Sequence, residues 1–454
     1  MSNQHLVAVV GAGPAGIYGT RKLTEAGHRV ILINRDIKPG GLAEYGIFVD
    51  KEKMKTGLRK QFKRILADPK VFYLGHVQFG QDQPLSLKDL QGMGFGAVVV
   101  TAGAQGTKKL GIDGEDNIGV YHAKDVVYHY NSLPPFSERT FEIGRRVAII
   151  GMGNVMVDIA NWLLNLKKID QVVVVARRGP LEKAYDDSEF EYIDMYLDNA
   201  DMKQEIERIG PSLTAIGQDV EAIKKKFIKD GEPLEGRKLT FRYLCSPNKV
   251  VANAEGRVAA LEAEENEMIL QDGKTVAKGT GKTRRIEVDC VIYAIGDQVD
   301  AALGLPFSRG AFVPNPEKLP GDPNPAAYQP YDPATKKALD GIFVAGWSRN
   351  ASVGLVGVAK QDAERGMKIV NDYLAAKPGL SAGEMEAKIE SLMHTLKQKG
   401  VKLVTKADVE LLEGAEQEQA RARKTWDFKF TNDEKMLQVI AERRAGKQPG
   451  QFAR

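Results

Sequence analysis

The residues best suited to chemistry are two glycine turns, Gly11-x-Gly13-x-x-Gly16 and Gly151-x-Gly153-x-x-Met156, and an arginine pair, Arg177-Arg178. Glycine at the first two turn positions lets the backbone bend sharply and approach a pyrophosphate. The unpaired N–H groups of the following helix then meet the phosphate charge. The third position is ordinarily Gly or Ala, so Met156 departs from the pattern. A strand ending on an acidic residue suits the ribose hydroxyls of NAD. The strand after the second turn ends instead on two guanidinium forks, which suit a dianionic 2′-phosphate. This turn is expected to bind NADP(H); the plainer alternative makes Arg177 and Arg178 a basic surface turn. After the first turn Asn34 stands where the acidic residue is expected, and it hydrogen-bonds a hydroxyl more weakly than a carboxylate does.

Both turns lie in strand–turn–helix–strand context. Residues 6–10 and 147–150 are apolar runs that read as buried parallel strands. Helices follow, over 17–26 and through Ile159, Leu163 and Leu166, and second strands cover 29–33 and 172–175. One such turn is weak evidence for a dinucleotide site; two in this context are strong. A chain with two sites most simply holds a resident FAD and an exchanging nicotinamide cofactor, so that hydride passes between stacked rings.

At 454 residues the chain is long enough for two or three domains. No apolar run approaches the ~20 residues of a membrane span, and the first strand begins too early for a leader, so a cytoplasmic protein is expected. Cys245 and Cys290 form no C-x-x-C pair, which excludes a dithiol centre and an iron–sulfur cluster. The six histidines lack metal-ligand spacing, so no metal is expected. A net charge of +4 is too small to argue for nucleic acid.

Several further stretches position these turns. Pro39-Gly40-Gly41-Leu42 is a turn where backbone could lie close to a ligand. Residues 51–66 read as an amphipathic helix with an apolar stripe from Met54 to Leu66. Lys51, Lys53, Lys55, Arg59, Lys60, Lys63 and Arg64 crowd its remaining surface. That basic surface is either a solvated face or a dock for an acidic partner. A strand is expected at 97–101, a helix at 121–130, and charged strands up to 287. A return strand at 288–295 follows, then a Pro/Gly/Asn-rich connector at 304–334. The strand at 341–347 leads through a glycine loop to a helix near Ala359, a further helix N-terminus able to face an anion. In the tail, Ser381 with Glu384 and Thr431 with Glu434 read as capping boxes, and Met385, Ile389, Leu392 and Leu396 as a buried stripe. The tail shows no catalytic pattern and reads as packing and interface material.

These residues resemble the adrenodoxin reductase-like, or FprA-like, ferredoxin–NADP⁺ reductases, two-domain flavoproteins related to the small subunit of glutamate synthase. The resemblance rests on VAVVGAGPAG, GGLAEYGI, the GHV of Gly75 to Val77, GMGNVMVDIA, VVARRGPLEKA and GIFVAGW followed by VGLVG, and extends into the tail. It implies an α/β fold of two Rossmann-like dinucleotide-binding domains, with the FAD domain discontinuous and the NADP domain inserted. The expected division is 1–105 with 331–375 for FAD, 106–330 for NADP(H), and 376–454 as a helical extension packed on the FAD domain.

It further implies that Gly11, Ala12, Gly13, Pro14 and Ala15 cradle the FAD pyrophosphate, with Asn34 at the ribose. Leu42 and Val77 would line the flavin, and Trp347, Gly354, Leu355 and Val356 would flank it. Met152, Gly153, Asn154 and Val155 would hold the NADP pyrophosphate, Arg177 and Arg178 the 2′-phosphate, and Glu189 a ribose hydroxyl. Asp158, Lys51 and Trp347 fall along the implied electron-transfer path. Departures are Asn34 for Glu, Glu44 for the family's Arg, Lys51 for its His, and Arg349 to Val356 for its KRGPTGVI loop. The implied activity is electron transfer between NADP(H) and an acidic carrier such as ferredoxin or flavodoxin. The alternatives are a subunit serving a partner oxidoreductase, which would usually carry a cysteine-rich module absent from this sequence, and a flavin-binding redox sensor.

Overall fold

The computed structural model describes residues 4–317 and 328–446. The middle of the expected connector and the end of the tail lie outside them. Cα packing divides the chain into two units, one of Met1–Thr107, Tyr128–Glu138 and Asp297–Arg454, the other of Lys108–Val127 and Arg139–Gly296.

Each unit is built on five parallel strands. In the first the order is Ile342–Val344, Ala97–Val100, Leu6–Val10, Arg29–Ile33, Val71–Leu74. In the second it is Val120–His122, Cys290–Tyr293, Arg146–Ile150, Gln171–Val175, Lys238–Arg242. Parallel sheets are covered on both faces, which is why these strands read as unbroken apolar runs. In both units the strand entering the glycine turn is central. The fold is thus α/β with two Rossmann-like units, as expected. The second unit adds an antiparallel sheet of Cys245–Ala252, Val258–Gln271 and Lys274–Glu287.

The division differs from the expected boundaries in two places. Asp297–Gln298 pairs with Gly106–Thr107, and Val299, Leu303, Leu305 and Phe312 enter the first unit's core, so the chain changes unit at 297 rather than 330. Residues 128–138 also pack with the first unit. Three tail helices, Ala382–Gln398, Lys406–Ala422 and Asp433–Arg444, complete that unit. The Met385, Ile389, Leu392, Leu396 stripe joins the cluster that holds Leu6, Ala8 and Val10. Val409, Leu412, Met436 and Ile440 join the cluster that holds Val7 and Val9. Successive strand residues point to opposite faces, so the tail closes both sides of one sheet.

Local expectations were off by small amounts. The Ser381–Glu384 capping box forms, but the last helix is capped by Asn432, whose side chain accepts from Lys435 N at 3.0 Å. Residues 120–122 are an edge strand, and the helix begins at Ala123. The Asn154–Asn161 helix widens into a π-turn over Trp162–Leu166, which carries Leu166 out to 52% exposure while Leu163 stays buried.

Candidate functional site

In the first unit, Gly11 has φ +107°, and a Cβ on it would lie 2.5 Å from Thr101 O. A Cβ on Gly16 would lie 1.8 Å from Gly11 O, so the helix Pro14–Glu25 can start this close only with glycine there. Gly13, by contrast, faces open space, with no atom within 4 Å of its would-be Cβ. That helix has no side-chain N-cap and begins with proline. Open space above uncapped N–H groups is the arrangement a pyrophosphate needs, so these residues fit a dinucleotide. The Gly40-Gly41 turn lies against it: Gly40 N donates to Ala12 O at 2.7 Å, and a Cβ on Gly41 would lie 2.9 Å from Gly13 Cα.

Two expected ligand residues of this unit are turned inward. Asn34 is buried; its Oδ1 accepts from Ala12 N at 3.0 Å, and its Nδ2 lies 2.9 Å from Asp36 O, 3.0 Å from Lys38 O and 3.2 Å from Tyr73 Oη. A carboxylate could not donate to those acceptors, so the departure from an acidic residue serves the loop behind the turn. Val77 has 0% exposure and packs in the core, so its side chain reaches no open surface. Ala12, also fully buried, contributes its backbone alone.

Gly346-Trp347-Ser348 packs against the start of the same helix, where a Cβ on Gly346 would lie 2.4 Å from Ala15 Cβ. Asp362 anchors this turn. It accepts from Gly346 N at 2.6 Å, from Arg349 Nε at 2.9 Å and from Tyr328 Oη at 3.2 Å. Trp347 Nε1 donates to Val353 O at 3.0 Å. The helix Val356–Ala375 starts without a side-chain cap, and beside it Val353, Leu355 and Val358 are 54%, 64% and 45% exposed. Trp347, Val353 and Val358 line a cavity of about 150 Å³. An uncapped N-terminus beside exposed apolar side chains suits a group with both an anionic part and a flat apolar part. Leu42 is half-buried against Tyr45 and Leu133, and Lys51 is half-buried at the start of the Glu52–Leu66 helix.

The second turn repeats this chemistry. Gly151 has φ +116° and its Cβ would lie 2.4 Å from Ala294 O, while Gly153 faces open space at an uncapped helix start. Met156 is fully buried. The loop beyond the next strand is fastened to this turn. Ala184 N donates to Met152 O at 2.9 Å, and Asn154 and Asp186 exchange two hydrogen bonds of 2.8 Å. Arg177 and Arg178 are exposed, and among the described residues no acceptor engages either guanidinium. Val155 is 45% exposed, whereas Asp158 and Glu189 are half-buried.

The first unit also holds a buried ionic cluster, outside the sites the sequence predicts. Arg59 donates to both oxygens of Glu44 (2.7 and 2.5 Å) and both of Asp427 (2.9 and 3.0 Å). Lys429 Nζ lies 3.0 Å from Glu44 Oε1, and Lys38 is paired with Glu416. Although burial works against it, Lys429, Lys38 and Arg59 hold the Glu44 carboxyl well below the usual range. Glu44 thus has a reason to differ from arginine, which would add a cation among cations. The basic helix is not exposed throughout: Lys55, expected on its surface, is 1% exposed with Nζ 2.7 Å from Asn131 Oδ1. Burial, with Lys429 next, lowers its pKa to about 7. Lys53, Lys60, Lys63 and Arg64 remain exposed. The one available signal was the departure at Glu44, which named no partner.

The fold and these turns define an α/β protein of two dinucleotide-binding units. Residues 5–229 match the family described as pyridine nucleotide-disulphide oxidoreductase. The chain is 27% identical over 442 residues to NADPH-ferredoxin reductase FprA of Mycobacterium leprae, covering 89% of this chain and 91% of that protein. It is 28% identical over 475 residues to the mitochondrial NADPH:adrenodoxin oxidoreductase of Salvelinus fontinalis, covering 95% and 90%. A structure of Mycobacterium tuberculosis FprA in complex with NADPH shares the fold, with TM-score 0.79 and 24% identity over 96% of this chain and 100% of that one. Over nearly its whole length the chain resembles the adrenodoxin reductase-like, or FprA-like, reductases.

Proposed function

We propose that this chain is an FAD-dependent NADPH oxidoreductase that passes electrons between NADP(H) and a protein carrier such as ferredoxin. The observation that carries this is the pair of open, uncapped glycine turns, one per unit, the second followed by two unengaged guanidinium groups. FAD, when bound, supplies hydride exchange with a nicotinamide and one-electron exchange with a carrier.

The chain's own residues bind and orient. Gly11, Gly13, Pro14 and Ala15 present backbone to the FAD pyrophosphate, and Gly40-Gly41 closes against them. Leu42, Trp347, Gly354, Leu355 and Val356 provide the flavin surface. Met152 to Val155 take the NADP pyrophosphate, Arg177 and Arg178 the 2′-phosphate, and Glu189 a ribose hydroxyl. Asp158, Lys51 and Trp347 are assigned to the electron-transfer path. The exposed lysines of the Glu52–Leu66 helix offer a carrier a positive face; the carrier is acidic, a ferredoxin or a flavodoxin. The FAD-binding part takes the first unit, 1–107 with 128–138 and the chain from 297 on, including the 376–454 extension, and the NADP(H)-binding part takes the second, 108–127 and 139–296. A cytoplasmic setting suits the two buried free thiols.

The test is an anaerobic stopped-flow mix of purified protein with NADPH, followed by oxidation with a panel of ferredoxin, flavodoxin, quinone and dioxygen. Flavin absorbance should bleach within the mix and return fastest with an acidic carrier. A protein that cannot be reconstituted to yellow, or a flavin that NADPH leaves oxidised, would end the proposal.

A further inference from the structure

The loop from Asn34 to Gly46 is held from two sides. On one side, Asn34 Oδ1 accepts from Ala12 N, and Gly40 N donates to Ala12 O, which ties the loop to the first glycine turn. On the other side the ties run to the tail. Lys38 pairs with Glu416, and both are about 95% buried. Glu44 is gripped by Lys429, whose ammonium also lies 2.8 Å from Glu44 O and 4.7 Å from the centre of the Tyr45 ring. The tail residues are linked in turn, since Glu416 Oε1 accepts from Phe430 N at 3.2 Å.

Packing alone does not call for charges here. A buried ion pair gains little stability over apolar side chains of equal size, because desolvation offsets the attraction. What charged, hydrogen-bonded pairs add is direction: each partner is held in one place by bonds of fixed geometry. These pairs hold the segment that carries Gly40, Gly41 and Leu42, and Gly41 is the residue whose would-be Cβ lies 2.9 Å from Gly13 Cα.

We propose that residues 416–430 of the tail are a positioning element of the first dinucleotide site. Through Lys38–Glu416 and Glu44–Lys429 they fix the Gly40–Leu42 turn against Gly13. Resting on the proposed flavin site, this assigns Glu416, Lys429 and Glu44 as positioning residues that touch no cofactor themselves. The tail then cannot be removed or loosened without loosening flavin binding, although it carries no residue of the glycine turns.

The test compares wild type, Glu416→Gln, and the double variant Lys38→Met with Glu416→Met, which removes both charges together. Three quantities are read: the melting temperature, the FAD dissociation constant with the visible circular dichroism of the bound flavin, and amide hydrogen exchange over 36–47 in the flavin-free chain. Glu416→Gln leaves buried Lys38 with only Glu44, 3.9 Å away, as a counter-charge and should lower the melting temperature. The double variant should recover most of that loss. Both should bind FAD roughly tenfold more weakly, the effect of losing one charge-assisted tie. Both should also exchange faster at the 36–47 amides and change the flavin dichroism. Wild-type FAD affinity and wild-type exchange in the double variant would overturn the proposal, as would FAD affinity that simply follows the melting temperature back up. If Glu416→Gln does not fold, the double variant decides alone. Because the exchange measurement needs no flavin, a wild type that binds none would sink the flavin site while leaving the tie to be judged on exchange.

Discussion

Gly16 and Met156 occupy the same step of two equivalent turns, yet a Cβ on Gly16 would sit 1.8 Å from Gly11 O while Met156 is accommodated, fully buried, in the other unit. The two turns share spacing and chemistry and differ in how closely the helix approaches its turn. Gly16→Ala should therefore cost ~3 kcal/mol through an overlap with backbone that cannot move aside, and release flavin. Met156→Ala should cost ~2–5 kcal/mol as a cavity, and leave flavin in place. Thermal unfolding with and without FAD separates the two; equal flavin loss in both would contradict this difference.

Arg177 and Arg178 are exposed and without a protein acceptor among the described residues, so removing them should disturb no internal bond. Arg177→Ala with Arg178→Ala should lower kcat/KM for NADPH by about 10²-fold, since charge-assisted contacts contribute ~1.5–3 kcal/mol each. The NADH value should hardly move. Binding of 2′,5′-ADP by calorimetry gives the same answer without turnover. An unchanged ratio of NADPH to NADH would return the pair to being a surface turn.

Lys55 should make stability depend on pH in a defined window. Burial, then Lys429, lower its pKa to about 7 from the ordinary 10.5. Between those values the unfolded chain binds more protons at this site than the folded one, so stability rises with pH. Below about 7 both forms are protonated and the cost of burying the charge is fully present. From pH 7 to 9 the wild-type melting temperature should rise relative to that of Lys55→Met, and at pH 6 the variant should be the more stable. Parallel curves for the two proteins would remove Lys55 from the account.

Neither cysteine should take part in the reaction, despite the disulphide in the description of the matching family. Both thiols are buried and free; burial pushes Cys245 up to about 11 and Cys290 higher still. The thiolate is the reactive form, so a maleimide should label neither residue in the native protein, and NADPH oxidation should survive the treatment. Rapid labelling with parallel loss of activity would show a thiol role that this burial does not allow.

The amino-acid sequence by itself determined the elements and their chemistry. Parallel strands buried on both faces must be apolar throughout, so residues 6–10 and 147–150 announced themselves, and the glycines that follow are demanded by backbone crowding within a few residues. Ser381 with Glu384 was legible for the same reason, since a capping box closes over one helical turn. What tertiary structure alone decided was which distant side chains meet. Asn34 turned out to brace the turn from behind, and Val77 to lie in the core, because the loop folds inward. Residues 297–312 side with the first unit because of the strand they pair with. Lys38 with Glu416, and Glu44 with Lys429, are joined across hundreds of residues. Charge pairing has no period along the chain, and until the fold supplies burial a buried pair and a solvated surface charge look alike.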